Sequence, residues 1–389
     1  MSSSQTYSPF HAVLLREWRR MTSRRLYFGV CIILPLFTLF FMATIFGNGQ
    51  MENIPVGIVD QDNTASSRAI VRNISAVPTF KVTKHFVNEE AARKAVQRKE
   101  IYGYLSIPPR FEQDAISGKN ATLSYYYHYA LLSVGGELMA AFETSLAPVS
   151  LSPIVMKAVA LGVDQNQITT FLLPVQASNH PIYNPSLDYS VYLSQPFFFV
   201  LFQILILLTT VYAVGIEIKF RTADEWLSVA KGNMVTAVLG KLLPYTIIYI
   251  LIGWLANYVM FGILHIPFQG SWGLMSMLTA LFVVATQALG LFLFSLFPAI
   301  SLIISIVSMV GSLGATLSGV TLYPLVRDAS YLFPVRHFTE IIQNILYGGS
   351  GFIHLWPSAV ILCIFPLLAF ALLPHLKRAI ESHKYEKIK

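Results

Sequence analysis

The sequence predicts a polytopic α-helical membrane protein with six transmembrane helices and a mixed α/β extracytoplasmic domain inserted between helices 1 and 2. Three observations carry this reading. Of the 389 residues, 54% are hydrophobic and 12% charged, against roughly 25% charged in ordinary soluble domains. The missing charge is concentrated in uncharged runs of about 20 residues, the length a helix needs to cross a ~30 Å hydrocarbon layer. One long stretch, 48–190, departs from that habit and alternates strand-like with helix-like patterns.

Residues 1–25 form the first element. Arg16, Arg19, Arg20, Arg24 and Arg25 stand there with one acid, Glu17. Phe10, Val13, Leu14 and Trp18 recur at helical spacing, which predicts an amphipathic helix at the inner membrane surface; a disordered basic leader is the competing reading. Residues 26–47 follow as span 1, with Leu26–Phe46 its apolar core. A cleavable signal has a shorter core and a small-residue cleavage site; this run is longer and closes on Ile45-Phe46-Gly47-Asn48. The arginines ahead of it place the N-terminus in the cytoplasm.

In 48–190, strands are expected at Ile54–Val59, Phe80–Phe86, Tyr102–Ile107 and Ala121–Tyr129, and helices at Ser66–Ala76, Glu89–Lys99 and Pro109–Ile116. Strands alternating with helices predict a small α/β sheet domain. A longer helical stretch is expected at 131–161. Residues 191–376 then carry five spans, Val191–Ile216, Leu242–Leu264, Trp272–Phe297, Ala299–Tyr323 and Leu355–Leu373. The tail 377–389 is basic through Lys377, Arg378, Lys384, Lys387 and Lys389. With six spans both basic termini are cytoplasmic, and the formal charge of +7 reports topology rather than nucleic-acid binding.

Two polar segments interrupt the second half. The loop 217–241 holds Glu217, Lys219, Arg221, Asp224, Glu225, Lys231 and Lys241, and no Asp, Glu, Lys or Arg follows until Arg327. The segment 326–351 carries an apolar stripe, Phe333, Phe338, Ile341, Ile342, Ile345 and Leu346, suited to a helix lying in the outer interface or dipping into it; a plain connector, the competing reading, would not need that stripe. In the fifth span Gly311, Ala315 and Gly319 fall four residues apart, a row that permits close helix approach, either at a dimer interface beside a transport path or within the monomer. Phe198 and Phe202, in a phenylalanine-rich second span, line a route for apolar substrate, face lipid or pack.

Catalytic patterns are absent from the sequence. Gly240-Lys241 lacks the leading glycine and following Ser/Thr of a P-loop, no HExxH occurs, and Gly348-Gly349-Ser350-Gly351 does not match G-x-S-x-G. Asp60 and Asp62 follow a strand and read as an Asx-capped turn rather than a metal pair. Cys31 and Cys363 lie in apolar runs and read as packing residues, not a disulfide or metal pair. The spans as bounded above contain no ionisable Asp, Glu, Lys or Arg. Ion-coupled carriers place such groups near the midplane, so transport energy, if this is a transporter, enters from outside the chain.

Three sets of residues carry a resemblance. Glu217, Arg221-Thr222, Glu225, Leu227 and Gly240-Lys241 follow a pattern close to E-x-x-x-G-T-x-E-x-L and then G-K, with Arg221 where glycine is usual and Lys231-Gly232-Asn233 where a proline is usual. Ser318-Gly319 to Pro324, then Phe333-Pro334, His337-Phe338 and a Gly-Gly, form the second set. Asp60, Asp62, Ser66-Ser67, Tyr104, Ile107-Pro108 and Phe111 form the third. Together they resemble the permease subunit of ABC-2 type (type-2 ABC) exporters, in the bacterial branch with a large extracytoplasmic domain. The resemblance implies a bacterial inner-membrane efflux half-transporter that moves a drug, lipid or other amphiphile by alternating access at a dimer interface. It implies a second permease subunit, identical or paralogous, and a separate cytosolic ATPase holding ATP and Mg. A periplasmic adaptor is a further implied partner. Glu217, Arg221, Thr222, Asp224, Glu225, Trp226 and Leu227 would form the coupling loop that docks on the ATPase, with Trp226 as an aromatic anchor. A membrane receptor or scaffold whose outer domain binds a ligand or adaptor is the alternative; an embedded enzyme lacks any convergent nucleophile, base or metal set.

Overall fold

The computed structural model describes residues 8–46, 51–117, 119, 121–130, 134–147, 193–316, 327–348 and 352–382. The chain divides into two compact units, one of Met1–Gly49 with Pro181–Lys389 and the other Gln50–His180.

The first unit is helical. Helix α1 (Pro9–Ser23) runs into α2 (Arg25–Ile45), which contains a π-helical turn at Gly29–Ile33. In the second unit β1 (Ile54–Asp60), α3 (Ala65–Ser75), β2 (Phe80–Phe86), α4 (Glu89–Gln97), β3 (Gly103–Ile107), α5 (Phe111–Ser117), β4 (Ser124–Tyr127) and α6 (134–147) follow in order. The sheet order is β2-β1-β3-β4; β1 pairs parallel with β2 and β3, and β4 closes antiparallel on β3. Parallel neighbours need crossovers, which α3 and α4 supply. Strand alternation sends Val56 and Ile58 to one face, where Ile70, Ile74, Phe111, Leu138 and Phe142 cover them. Val59 goes to the other, under Ala92 and Ala95 of α4. Asp60 and Asp62 cap the β1–α3 turn. Asp60 Oδ1 accepts from the Asp62 and Asn63 amides at 3.0 Å, its Oδ2 from Ser67 Oγ at 2.7 Å, and Asp62 Oδ2 from Thr64 Oγ1 at 2.6 Å.

The remaining helices belong to the first unit. They are α7 (Gln195–Lys219), α8 (Ala223–Val229), α9 (Met234–Ile263, ending in a π-helical turn), α10 (Trp272–Leu296), α11 (Ile300–Thr316), α12 (Arg327–Ser330), α13 (Pro334–Gly348) and α14 (Phe352–Glu381). Among the described residues, five helices are long and apolar enough to cross a membrane: α2, α7, α9, α10 and α14 over Leu355–Glu381; Ile300–Gly314 of α11 is a shorter apolar helix. The protein is therefore a polytopic helical membrane protein.

Its core is aromatic. Phe198 stacks on Phe202 at 5.2 Å, Phe202 meets Tyr249 edge-on at 5.5 Å, and Phe199 meets Phe338, which stacks on Phe282 at 4.5 Å. Phe198 and Phe202 are fully buried inside the chain, so they pack its interior rather than line an open route. The stripe on α13 is also used internally: Phe338, Ile341, Ile342 and Ile345 are fully buried, and α13 packs on α10 and α14. The apolar stripe is thus covered by α10 and α14 of the same chain. The start of α13 is satisfied from α7, where Gln203 Oε1 accepts from the Val335 amide at 2.9 Å, one of the orphan donors of a helix N-terminus.

Candidate functional site

The loop 217–241 is built on backbone positions that few side chains tolerate. Arg221 (φ +56°), Lys231 (φ +52°) and Gly232 (φ +75°) are left-handed, a region costly for residues with a Cβ. Arg221 and Lys231 are thus the two turns on either side of α8, and the glycine usual at 221 in the resembling pattern would meet the conformation with no Cβ. Asn233 then caps α9, its Oδ1 accepting from the Val235 and Thr236 amides at 3.0 and 3.2 Å.

Helix α8 is two-faced. Ala223, Trp226, Leu227 and Ala230 are buried, at the spacing of one helical side. Asp224, Glu225 and Ser228 are exposed on the other, next to exposed Arg221. Trp226 donates from Nε1 to the Ala237 carbonyl at 3.2 Å, and Lys241 Nζ lies 5.4 Å from its ring centroid. The expectation that Trp226 offers an anchor to a partner groove is corrected: the indole is buried and braces α8 against α9. Leu227 shares that buried face.

Beneath α8 lies a buried charge cluster joining three helices. Glu217, at the end of α7, is fully buried. Its carboxylate accepts two N–H groups of Arg16 at 2.7 and 3.1 Å, Lys241 Nζ at 2.7 Å, Arg20 Nη1 and the Thr222 hydroxyl. Glu17, also buried, accepts from Lys241 Nζ at 2.5 Å and from the Tyr245 hydroxyl at 2.6 Å. Arg16 reaches on to exposed Glu225 at 3.4 Å. Burial alone would lower the Arg16 pKa, but Glu217 and then Glu225 outweigh it and hold the guanidinium above its ordinary value. Two carboxylates thus meet three cations, with Glu225 at the edge as a third acid. Such a cluster is stable only when each charge is paired and hydrogen-bonded.

Glycine at 240 lets this happen. A Cβ there would lie 3.0 Å from the Val13 side chain, so α1 approaches α9 closely enough for Glu17 to reach Lys241. The end of α14 meets the loop as well, Lys377 Nζ donating to the Gly232 carbonyl at 2.8 Å.

The sequence-predicted residues therefore separate. Glu217 and Thr222 lie inside the cluster, and Glu217 is an internal hub rather than a surface contact. Arg221, Asp224 and Glu225 face outward. Gly311 packs within the chain, since a Cβ on it would come 2.7 Å from Ile204 Cγ1 of α7, while Ser301, Ser305, Ser308 and Ser312 share the exposed side of α11 with Leu302, Met309 and Leu313. Ala315 sits near the end of α11, and Gly319 lies outside the described residues. Sequence reasoning missed Glu17, Arg16, Arg20 and Tyr245 as partners of the loop. The available signal was a lone acid among five arginines, matched by a lysine about two turns inside an apolar helix.

A family model described as ABC-2 family transporter protein matches residues 25–373. Over 324 residues the chain is 20% identical to the inner membrane transport permease YhhJ of Escherichia coli K12, with 80% of this chain and 81% of the relative covered. The Shigella flexneri inner membrane transport permease YhhJ matches with the same identity and coverage.

Proposed function

The chain belongs to the ABC-2 family of transporter proteins, and from that premise we propose that it is the permease subunit of an ATP-driven exporter whose loop 217–241 docks a separate cytosolic ATPase. The observation that carries this is the mounting of α8. Its apolar side is fixed to α9, the cluster beneath it ties together α1, α7 and α9, and its outer side presents Asp224 and Glu225 (Glu225 66% exposed). A push on that acidic face is transmitted to three helices at once, because the buried ion pairs leave little slack between them. ATP and Mg would sit in the partner, and this chain supplies the path for an amphiphilic or hydrophobic substrate.

The contacts also support six spans with both termini cytoplasmic. Helix α1 precedes α2, the loop joins α7 to α9, and the end of α14 reaches Gly232, so all three meet at one end of the bundle. An odd number of crossings would separate α1 from the end of α14. Counting α11 as the sixth crossing restores the parity; its 17 residues span about 25 Å. In this arrangement Gln50–His180 lies outside the cytoplasm, where a periplasmic adaptor would reach it. The exposed side of α11, serines interleaved with Leu302, Met309 and Leu313, is the surface on which a second permease subunit would pack, and the substrate would be handled along that seam by alternating access.

The test reverses charge on the outer side of α8, where Glu225 also touches Arg16 at the edge of the cluster. Asp224→Lys/Glu225→Lys should leave the detergent-solubilised chain monodisperse and abolish co-purification with the ATPase and substrate-stimulated ATP hydrolysis in liposomes. Normal association and stimulation in that variant would refute the docking role.

A further inference from the structure

The arginines of the N-terminal helix split into two groups, and the second group has no work in the cluster described above. Arg16 and Arg20 are spent on Glu217. Arg19, Arg24 and Arg25 are exposed, and among the described residues no carboxylate lies within ion-pair distance of any of them. Arg24 sits at the extended junction of α1 and α2 (φ −122°, ψ 116°), its guanidinium 5.5 Å from the Phe220 ring centroid. Arg24 and Arg25 border a groove of about 440 Å³ whose walls include Trp18, Phe28, Ile32 and Ile248, a volume in the range of ordinary ligand sites. Trp18 is 53% and Phe28 56% exposed.

We propose that this groove binds one anionic phospholipid of the surrounding bilayer, its phosphate on Arg24 and Arg25 and an acyl chain along Phe28, Ile32 and Ile248. The chemistry selects the occupant. A soluble anion would satisfy the arginines and leave the apolar wall bare. A zwitterionic lipid would cover the wall and carry its own cation to the arginines. Only an amphiphile with net negative charge beside its chain satisfies both. Guanidinium also suits phosphate, presenting paired donors in one plane. Position agrees with this: α1 joins the membrane-spanning α2 at Arg24, where tryptophan and arginine favour the headgroup level. The bound lipid would fill the angle between α1 and α9, the helices that share the buried charge cluster.

The experiment titrates the detergent-purified chain with dioleoyl phosphatidylglycerol, with dioleoyl phosphatidylcholine and with glycerol phosphate, reading bound species by native mass spectrometry. The expected result is retention of one phosphatidylglycerol at least tenfold tighter than phosphatidylcholine, with no competition from glycerol phosphate at equal concentration. Arg24→Gln/Arg25→Gln should weaken phosphatidylglycerol roughly thirtyfold, since each basic residue near an anionic lipid contributes roughly fivefold. Ile32→Trp, which fills the groove without changing charge, should reduce both lipids. Arg19→Gln, away from the groove, should change binding less than threefold. Equal affinity for the two lipids, unchanged binding in the double variant, full competition by glycerol phosphate, or an Arg19→Gln loss as large as the double variant's would each overturn the site.

Discussion

Replacing Glu217 with glutamine keeps the shape of the side chain and removes one charge from the buried cluster. Its carboxylate meets Arg16 twice, Lys241, Arg20 and Thr222. After the change Lys241 keeps Glu17 as its one carboxylate, beside the Trp226 ring, Arg20 keeps a 3.8 Å approach to Glu17, and Arg16 keeps the exposed Glu225 at 3.4 Å. Breaking one side of a buried pair costs about 3–5 kcal/mol, because the remaining charge stays buried without its partner. The amide of glutamine can still accept one hydrogen bond, which places the expected loss near the lower end, about 3 kcal/mol. Removing the cation as well should restore part of it. Lys241→Met alone leaves Glu17 with Tyr245 and one distant arginine, and the double variant Glu217→Gln/Lys241→Met should fall short of the summed losses by about 1–3 kcal/mol, as interacting neighbours do. The assay is reversible unfolding in mixed micelles followed by helical circular dichroism, run as a double-mutant cycle. A single-variant loss under 1 kcal/mol, or strict additivity in the cycle, would refute the view that this cluster holds the loop to the bundle.

Other outcomes follow from the same geometry. Trp226→Ala should destabilise by about 3–5 kcal/mol, as buried large-to-small changes do, so loss of ATPase binding in that variant is to be read beside its unfolding curve. Arg221→Gly should stabilise by about 0.5–1 kcal/mol in that assay, the relief of a left-handed side chain exceeding glycine's added unfolded entropy. Gly311→Val should cost about 1–3 kcal/mol by forcing Ile204 and α7 away; a neutral effect would show that α11 does not pack there. Residues 50–180 expressed alone should give a monomer with a cooperative thermal transition, since the sheet has a core on each face; an unstructured product would show that it depends on the helical unit.

The sheet elements were legible because strand and helix periods differ sharply. Phe80–Phe86 has the bounds its alternation suggests, and Glu89–Gln97 ends two residues before the expected point. The stripe on α13 was legible as a stripe but not as to what covers it: an apolar face reads the same whether lipid or α10 lies against it. Trp226 failed for a related reason. A tryptophan between acids in a polar loop suits an exposed anchor, and only the helical phase fixed by the left-handed turn at Arg221 sends it inward with Ala223, Leu227 and Ala230.

Membrane class, the sheet segment and the location of the polar loop follow from residue order alone, because they depend on composition and short-range period. The pairing of that loop's charges depends on how the helices pack. Glu17 and Lys241 are 224 positions apart and Arg16 and Glu217 are 201, and Coulomb attraction over a few ångströms acts on distance in space, to which spacing along the chain gives no access. The missing Cβ at Gly240 favours the close helix approach that brings them together, and the cluster joins the loop to α1, α7 and α9.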